Sequence, residues 1–267
     1  MISKKLKTYN KSIRASNVYD VAEVTPITQA SALSIDLKNN IFLKREDLQP
    51  VFSFKVRGAY NKLSKLKKNG TSSSVIAASA GNHAQGVAYS AKRLGLKSII
   101  VMPITTPLIK INAVKNFGGK VVLFGDNFDE AFEHAISLAN KENYSFIHPY
   151  DDKDVISGQG TIGKEILEQT ESKVEAVFVP VGGGGLLAGV GAYIKSEHPE
   201  IKVIGVEPDD AACLDLAIKN NKRLSLKEVG LFADGVAVKQ IGKLTFSIIR
   251  EWLDDVVTVS VDEMCAA

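Results

Sequence analysis

The sequence predicts an α/β fold in which parallel-rich sheets are flanked by helices. Three observations carry that class. From residue 75 short apolar runs alternate with helix-period segments, a polar turn follows the strand at 75–78, and a run of four glycines separates a strand from a helix near residue 182. Strands alternating with helices imply parallel pairing through helical crossovers, and turns at the carboxyl ends of such strands are where ligands bind.

In chain order, residues before Thr25-Pro26 read as an arm and a loop, followed by a short strand at 41–43 that runs into Lys44-Arg45-Glu46-Asp47. Val56, Ala59, Tyr60, Leu63 and Leu66 then recur at helical spacing, with Ser53 placed to cap the first free N–H groups. Lys55 falls in the opening turn of that helix. Strands are expected at 75–78, 98–102, 120–124, 176–179, 202–207 and 256–259, and Phe146-Ile147 extends the first series. Helices are expected at 84–94, 109–117, 128–140, 161–169 and 186–196. Ser260 and Glu263 form a capping box after the last strand, yet only seven residues remain for the helix it announces. Isolated helices below about 12 residues are marginal, so the pattern predicts a truncated chain with the last part of its fold missing.

With 267 residues the chain can form one large domain or two modest ones, domains of about 100–200 residues being usual. His148-Pro149-Tyr150-Asp151-Asp152 reads as a loop and divides the chain. The expected organisation is a large lobe of residues 1–70 and 150–267 and a small lobe of 71–149. A net charge of +3 arises from 33 basic and 30 acidic residues that are interspersed, which argues against a nucleic-acid partner. Pro180 and four glycines interrupt the uncharged run 176–194, which argues against a membrane span. Cys213 and Cys265 lack metal-ligand or disulfide spacing, so no metal site is expected and a reducing cytoplasm fits best.

Three separated segments carry the chemistry. Ser53-Phe54-Lys55 offers an amine at a helix start, Ser79-Ala80-Gly81-Asn82-His83 offers polar groups at a strand end, and Gly182-Gly183-Gly184-Gly185 offers bare backbone N–H groups at a helix N-terminus. Such a glycine nest suits a phosphate. An amine for an imine, an amide for a phenolic oxygen and a phosphate cradle together make the toolkit for pyridoxal 5'-phosphate. Each segment has a plainer reading: an exposed helical lysine, a capped helix start, a structural turn. Gly183, Gly185 and Ala188 also match G-x-G-x-x-A with Glu207 as a ribose-binding acid, but that dinucleotide reading gives Lys55 and Asn82 no task. No Lys-Ser/Thr pair follows the glycines, which excludes a Walker A loop.

The stretch from Phe42 through Lys55 to Tyr60, the segment from Ser79 to Gly86, and Pro180-Val181 followed by Gly182 to Leu186 resemble the fold type II pyridoxal-phosphate enzymes, a two-lobed, tryptophan synthase beta-like group. Within them the chain is most similar to the threonine dehydratases, and Gly230 to Lys239 is similar to the biosynthetic branch that serves isoleucine formation. The resemblance implies that Lys55 carries the cofactor as an imine and acts as catalytic base, and that Asn82 meets its phenolic oxygen. It further implies that Gly182, Gly183, Gly184, Gly185 and Leu186 hold the phosphate and that Ser79 meets the substrate carboxylate. The implied reaction converts L-threonine, with L-serine left open as a second substrate, to the 2-oxo acid and ammonia, in a homo-oligomer when full-length.

Two departures stand out. The family supplies a hydroxyl to the pyridine nitrogen from a segment beyond residue 267, and biosynthetic members carry a further regulatory domain. A serine racemase or degradative serine/threonine dehydratase is the alternative, against which Ala80 stands where racemases have a serine. An inactive cofactor-binding fragment is the third reading. Related enzymes hold a cation after a Val-Glu-Pro turn; here Cys213 stands where a carboxylate is wanted, so no metal is expected.

Overall fold

The computed structural model describes residues 3–71, 73–170 and 174–267. Its framework is two parallel sheets. The first is built from β3 (Ser74–Ala78), β4 (Lys97–Met102), β5 (Lys120–Leu123) and β6 (Ser145–Phe146), in the spatial order β5-β4-β3-β6. The second runs β7 (Ala176–Pro180), β8 (Lys202–Pro208), β9 (Asp255–Val259). Both are parallel throughout, as the alternation of elements requires. A small antiparallel pair, β1 (Ile27–Gln29) with β2 (Phe42–Lys44), stands apart.

In the first sheet the strand period of two is visible in the packing. Val75 and Ala77 face a core with Ala84, Val87 and Ala91 of α4 (Asn82–Leu94) and with Ile111 and Val114 of α5 (Leu108–Asn116). Ile76 and Ala78 face Ala131, Ala135 and Ala139 of α6 (Phe128–Glu142) on the other side. Helices on both faces bury both sets, so β3 reads as an unbroken apolar run. The order β5-β4-β3-β6 reverses between β3 and β6. At such a switch point the loops leaving two neighbouring strands diverge and open a crevice. Here those loops are 79–81 and 147–152.

A layer of helices links the sheets: α3 (Lys55–Lys68) packs on α4 and on α7 (Lys153–Gln169), and α7 packs on α8 (Gly185–Glu197). Close approach depends on glycine. A Cβ on Gly158 would lie 2.7 Å from the carbonyl oxygen of Arg57, and one on Gly160 would lie 2.9 Å from that of Gly189. α7 begins eight residues before the expected 161, where Asp152 caps it by accepting the Asp154 and Val155 N–H groups, and Gly158 and Gly160 are contact points inside it.

The N-terminal arm is a helix, α1 (Lys4–Arg14), which packs against α7 and α8. Leu6, Tyr9 and Ile13 form its buried stripe, Lys4, Lys7 and Lys11 stay in solvent, and Lys5 pairs with Glu251. The remaining helices are α2 (Ser31–Asp36), α9 (Cys213–Lys219), α10 (Lys243–Ile249) and α11 (Val261–Ala266). The expected capping box at Ser260 and Glu263 is formed at the start of α11. Among the described residues, no helix is long and apolar enough to cross a membrane.

Candidate active site

Lys55 is the first residue of α3. The cap position is Phe54 rather than Ser53, but the Ser53 hydroxyl still accepts the Lys55 N–H at 3.2 Å, so the expected service comes from one residue earlier. Two residues on, Arg57 is fully buried and fixes this end of the helix. Its guanidinium donates to Glu46 at 2.7 and 2.8 Å, to Glu165 of α7, to Thr161 and to the Glu23 carbonyl. Lys44 joins by donating to Glu165 at 2.6 Å. Two cations thus meet two carboxylates with most donors satisfied, the condition under which buried charge is tolerated.

The Lys55 side chain turns toward the loop 147–151, where its amine donates to the Pro149 carbonyl at 3.3 Å. Desolvation lowers the amine to about 8. The Phe54 ring lies 5.3 Å away. A neutral amine is therefore accessible near physiological pH.

Asn82 opens α4 with its side chain exposed, and Ser79 precedes it with a hydroxyl that accepts the Gly81 N–H at 3.2 Å. Gly86, one turn further on, lets α4 sit on the start of α3: a Cβ there would be 3.1 Å from the Lys55 carbonyl carbon. His83 is buried and its Nε2 pairs with the Ile147 carbonyl at 3.0 Å. A carbonyl only accepts, so Nε2 carries the hydrogen. Desolvation, with Lys55 adding to it, holds His83 neutral by lowering it to about 3.

Gly182 to Gly185 form the turn between β7 and α8, and Gly184 has a left-handed φ of 86°. Each of its glycines has a close neighbour where a side chain would project. A Cβ on Gly183 would collide with the Tyr150 ring, one on Gly185 would lie 2.9 Å from Tyr150 Cβ, and one on Gly182 would lie 3.1 Å from Val236. The Gly183 carbonyl is taken by the Thr245 hydroxyl at 2.8 Å and the Gly242 N–H at 3.3 Å. Asp151 accepts from the Lys243, Leu244 and Thr245 N–H groups at 2.7–3.1 Å, which ties the loop 147–151 to the same corner. Leu186 follows in α8, half-buried.

The three predicted segments therefore converge on one loop that sequence reasoning treated only as a boundary. Pro149 receives the Lys55 amine, Ile147 receives His83, and Tyr150 covers the glycines. The signal that could have found it is positional: 147–151 follows β6 as 79–83 follows β3, on the two sides of the switch point. Burial pushes the Tyr150 phenol up to about 12, so it stays protonated.

Glu207 is not turned toward the glycine turn as a ribose-binding acid would be. It is fully buried, and its two oxygens accept the Leu214 and Asp215 N–H groups at 2.9 Å each. Burial pushes its carboxyl up to about 7 and the neighbouring Cys213 thiol above its ordinary range. Cys213 donates weakly to the Gly182 carbonyl at 3.5 Å. Among the described residues no His, Cys, Asp or Glu cluster has the makings of a metal site.

In kind, the residues present fit pyridoxal 5'-phosphate: a desolvated amine, an exposed amide at a helix start, and a bare glycine turn at a helix N-terminus where a side chain would meet Val236, Tyr150 or Ile241. Residues 18–267 match the family described as pyridoxal-phosphate dependent enzyme. The chain is 57% identical over 259 residues to L-threonine dehydratase biosynthetic IlvA of Pasteurella multocida, covering 97% of this chain and 50% of that protein. It is 53% identical to the chloroplastic biosynthetic threonine dehydratase of Arabidopsis thaliana, covering 97% and 44%. The chain thus spans about half the length of the curated relatives it matches. Among solved structures, the processed threonine deaminase isoform 2 of Solanum lycopersicum superposes with a TM-score of 0.94 at 51% identity, over 97% of this chain and 71% of that one. Maize serine racemase gives 0.92 at 30% identity, over 97% and 78%. A matched fold, a profile spanning nearly the whole chain and a site of the right chemical kind agree, and the chain belongs to the pyridoxal-phosphate dependent enzyme family.

Proposed function

We propose that this chain deaminates L-threonine to 2-oxobutanoate and ammonia, as the threonine dehydratases it is similar to are named for doing. The observation that carries the reading is the convergence of the Lys55 amine, the start of α4 and the glycine turn on the loop 147–151. Lys55 would hold the cofactor through its amine, Asn82 through its amide, and Gly182 to Gly185 with Leu186 through backbone N–H groups. When bound, pyridoxal phosphate supplies a conjugated electron sink for the carbon that bears the substrate amine.

The chain's own groups divide the remaining work. Lys55 Nζ, lowered to about 8 by desolvation, takes the α-proton without needing a strongly alkaline medium. Ser79 orients the substrate carboxylate from the end of β3. Tyr150 and Val236 pack against the glycines and leave the turn no room for side chains, so only backbone N–H groups face a phosphate there. We read the small lobe as 71–149 and the large lobe as 1–70 and 150–267, with the site between them. A cytoplasmic, homo-oligomeric enzyme belongs to the same proposal, in keeping with the free Cys213 and Cys265.

The test is incubation of the purified chain and pyridoxal 5'-phosphate with L-threonine or L-serine, with keto acid and D-serine both assayed. The expected result is 2-oxobutanoate from L-threonine and no D-serine. D-serine without keto acid would replace this reading with a racemase, and bound cofactor without either product would reduce the chain to a binding fragment.

A further inference from the structure

The Lys55 amine donates to the Pro149 carbonyl, and the conformation of the residues around that carbonyl is set by an imidazole. His148 Nδ1 accepts two backbone N–H groups, from Tyr150 at 3.3 Å and from Asp151 at 2.8 Å. Both partners are obligatory donors, so the nitrogen between them must present a lone pair, and the hydrogen of neutral His148 must sit on Nε2. The loop folds back over its own histidine and leaves the intervening Pro149 carbonyl directed at α3. Proline has no N–H, so nothing at that residue competes for the imidazole.

The rest of the loop is held independently. His83 fixes the Ile147 carbonyl at one end, and the Asp151 carboxylate fixes the other end to the start of α10. Edge-to-face contacts with Phe146 and Tyr150 at 6.3 and 4.7 Å hold the His148 ring in orientation. Only the turn at 148–151 depends on the Nδ1 lone pair.

We propose that His148 is a positioning residue for Lys55: its unprotonated Nδ1 shapes the 148–151 turn so that the Pro149 carbonyl holds the lysine amine at the point where it captures the cofactor and, once released, receives the proton. This deepens the reading above and rests on Lys55 being the cofactor lysine.

Asparagine and glutamine separate this role from bulk. An asparagine in place of His148 would put an amide oxygen where Nδ1 is, whereas glutamine puts its polar atoms where Nε2 is. The experiment compares wild type with His148→Asn, His148→Gln and His148→Phe in the full chain, using two probes read by peptide mass spectrometry. One is the rate of borohydride-trapped attachment of pyridoxal 5'-phosphate at Lys55. The other is acylation of Lys55 by trace acetic anhydride without cofactor, relative to Lys219, whose side chain is 72% exposed.

For His148→Gln and His148→Phe the expected attachment rate falls on the order of tenfold or more, the cost of a displaced reacting group, and the Lys55 to Lys219 acylation ratio changes. In His148→Asn both readouts return to within about threefold of wild type, an energy below that of one net hydrogen bond. The proposal is overturned if asparagine behaves like glutamine, or if all three variants label Lys55 at the wild-type rate. Nitrogen NMR of the His148 imidazole in the wild-type chain decides the matter even if every variant misfolds: a hydrogen on Nδ1 overturns it. Cofactor trapped on a lysine other than Lys55 in wild type would sink the functional reading instead, leaving the acylation ratio to judge His148 alone.

Discussion

The Tyr150 ring occupies the space into which a side chain on Gly183 would project. One residue of the glycine turn is thus bare because an aromatic from a distant loop lies against it, and the contact couples the glycine turn to the loop that receives Lys55. Gly183→Ala must either displace Tyr150 or open the turn, and overpacking of this kind costs about 1–3 kcal/mol. Cofactor affinity, measured by fluorescence titration, is expected to fall roughly tenfold or more, since about 1.4 kcal/mol is a factor of ten. Replacing Tyr150 by alanine in the same chain should recover part of that loss; no recovery would mean that the clash is not the cause.

Arg57 should show the behaviour of a buried ion-pair hub. Arg57→Met leaves Glu165, only 2% exposed in its side chain, without its guanidinium partner, although Lys44 remains. Breaking such a pair from one side costs about 3–5 kcal/mol. Urea unfolding at neutral pH is the measurement, and a change of less than about 1 kcal/mol, the level of an exposed pair, would contradict the assignment.

Gly189→Ala reverses the usual sign. In an exposed helix, replacing glycine by alanine gains up to about 1 kcal/mol, yet here the added carbon would collide with the Ile156 carbonyl and lie 2.7 Å from Gly160 N. The same urea experiment should find the variant less stable than wild type. A stabilised variant would show that α7 and α8 have room to separate.

Much of the architecture was legible because strand and helix periods differ and because this fold buries β3 on both faces. The terminal capping box was legible for the same local reason: Ser260 and Glu263 make their reciprocal hydrogen bonds whatever surrounds them. The start of α7 was not, since Gly158 and Gly160 look like breakers until the Arg57 and Gly189 backbones that press on them are known. The helix α1 was hidden by its lysines, although Leu6, Tyr9 and Ile13 carry the stripe. At the candidate site, Lys55, the start of α4 and the glycine turn stand out by residue type. Pro149 acts through a carbonyl that every residue owns, so only the path of the chain could single it out.

The amine of Lys55 should titrate low. In the cofactor-free chain its acylation rate is expected to rise with a midpoint at about pH 8. Between that pH and the ordinary lysine value of about 10.4 the unfolded chain holds the proton that the folded chain has lost, so Lys55 makes stability increase with pH across this window. A labelling midpoint near 10.4 would mean that the amine is solvated in solution.

The most direct test is to add pyridoxal 5'-phosphate to the purified chain, reduce with borohydride and map the modified peptide. The account requires the label on Lys55, and loss of both label and visible absorbance in Lys55→Ala. A label on any other lysine, with Lys55 left unmodified, would contradict it.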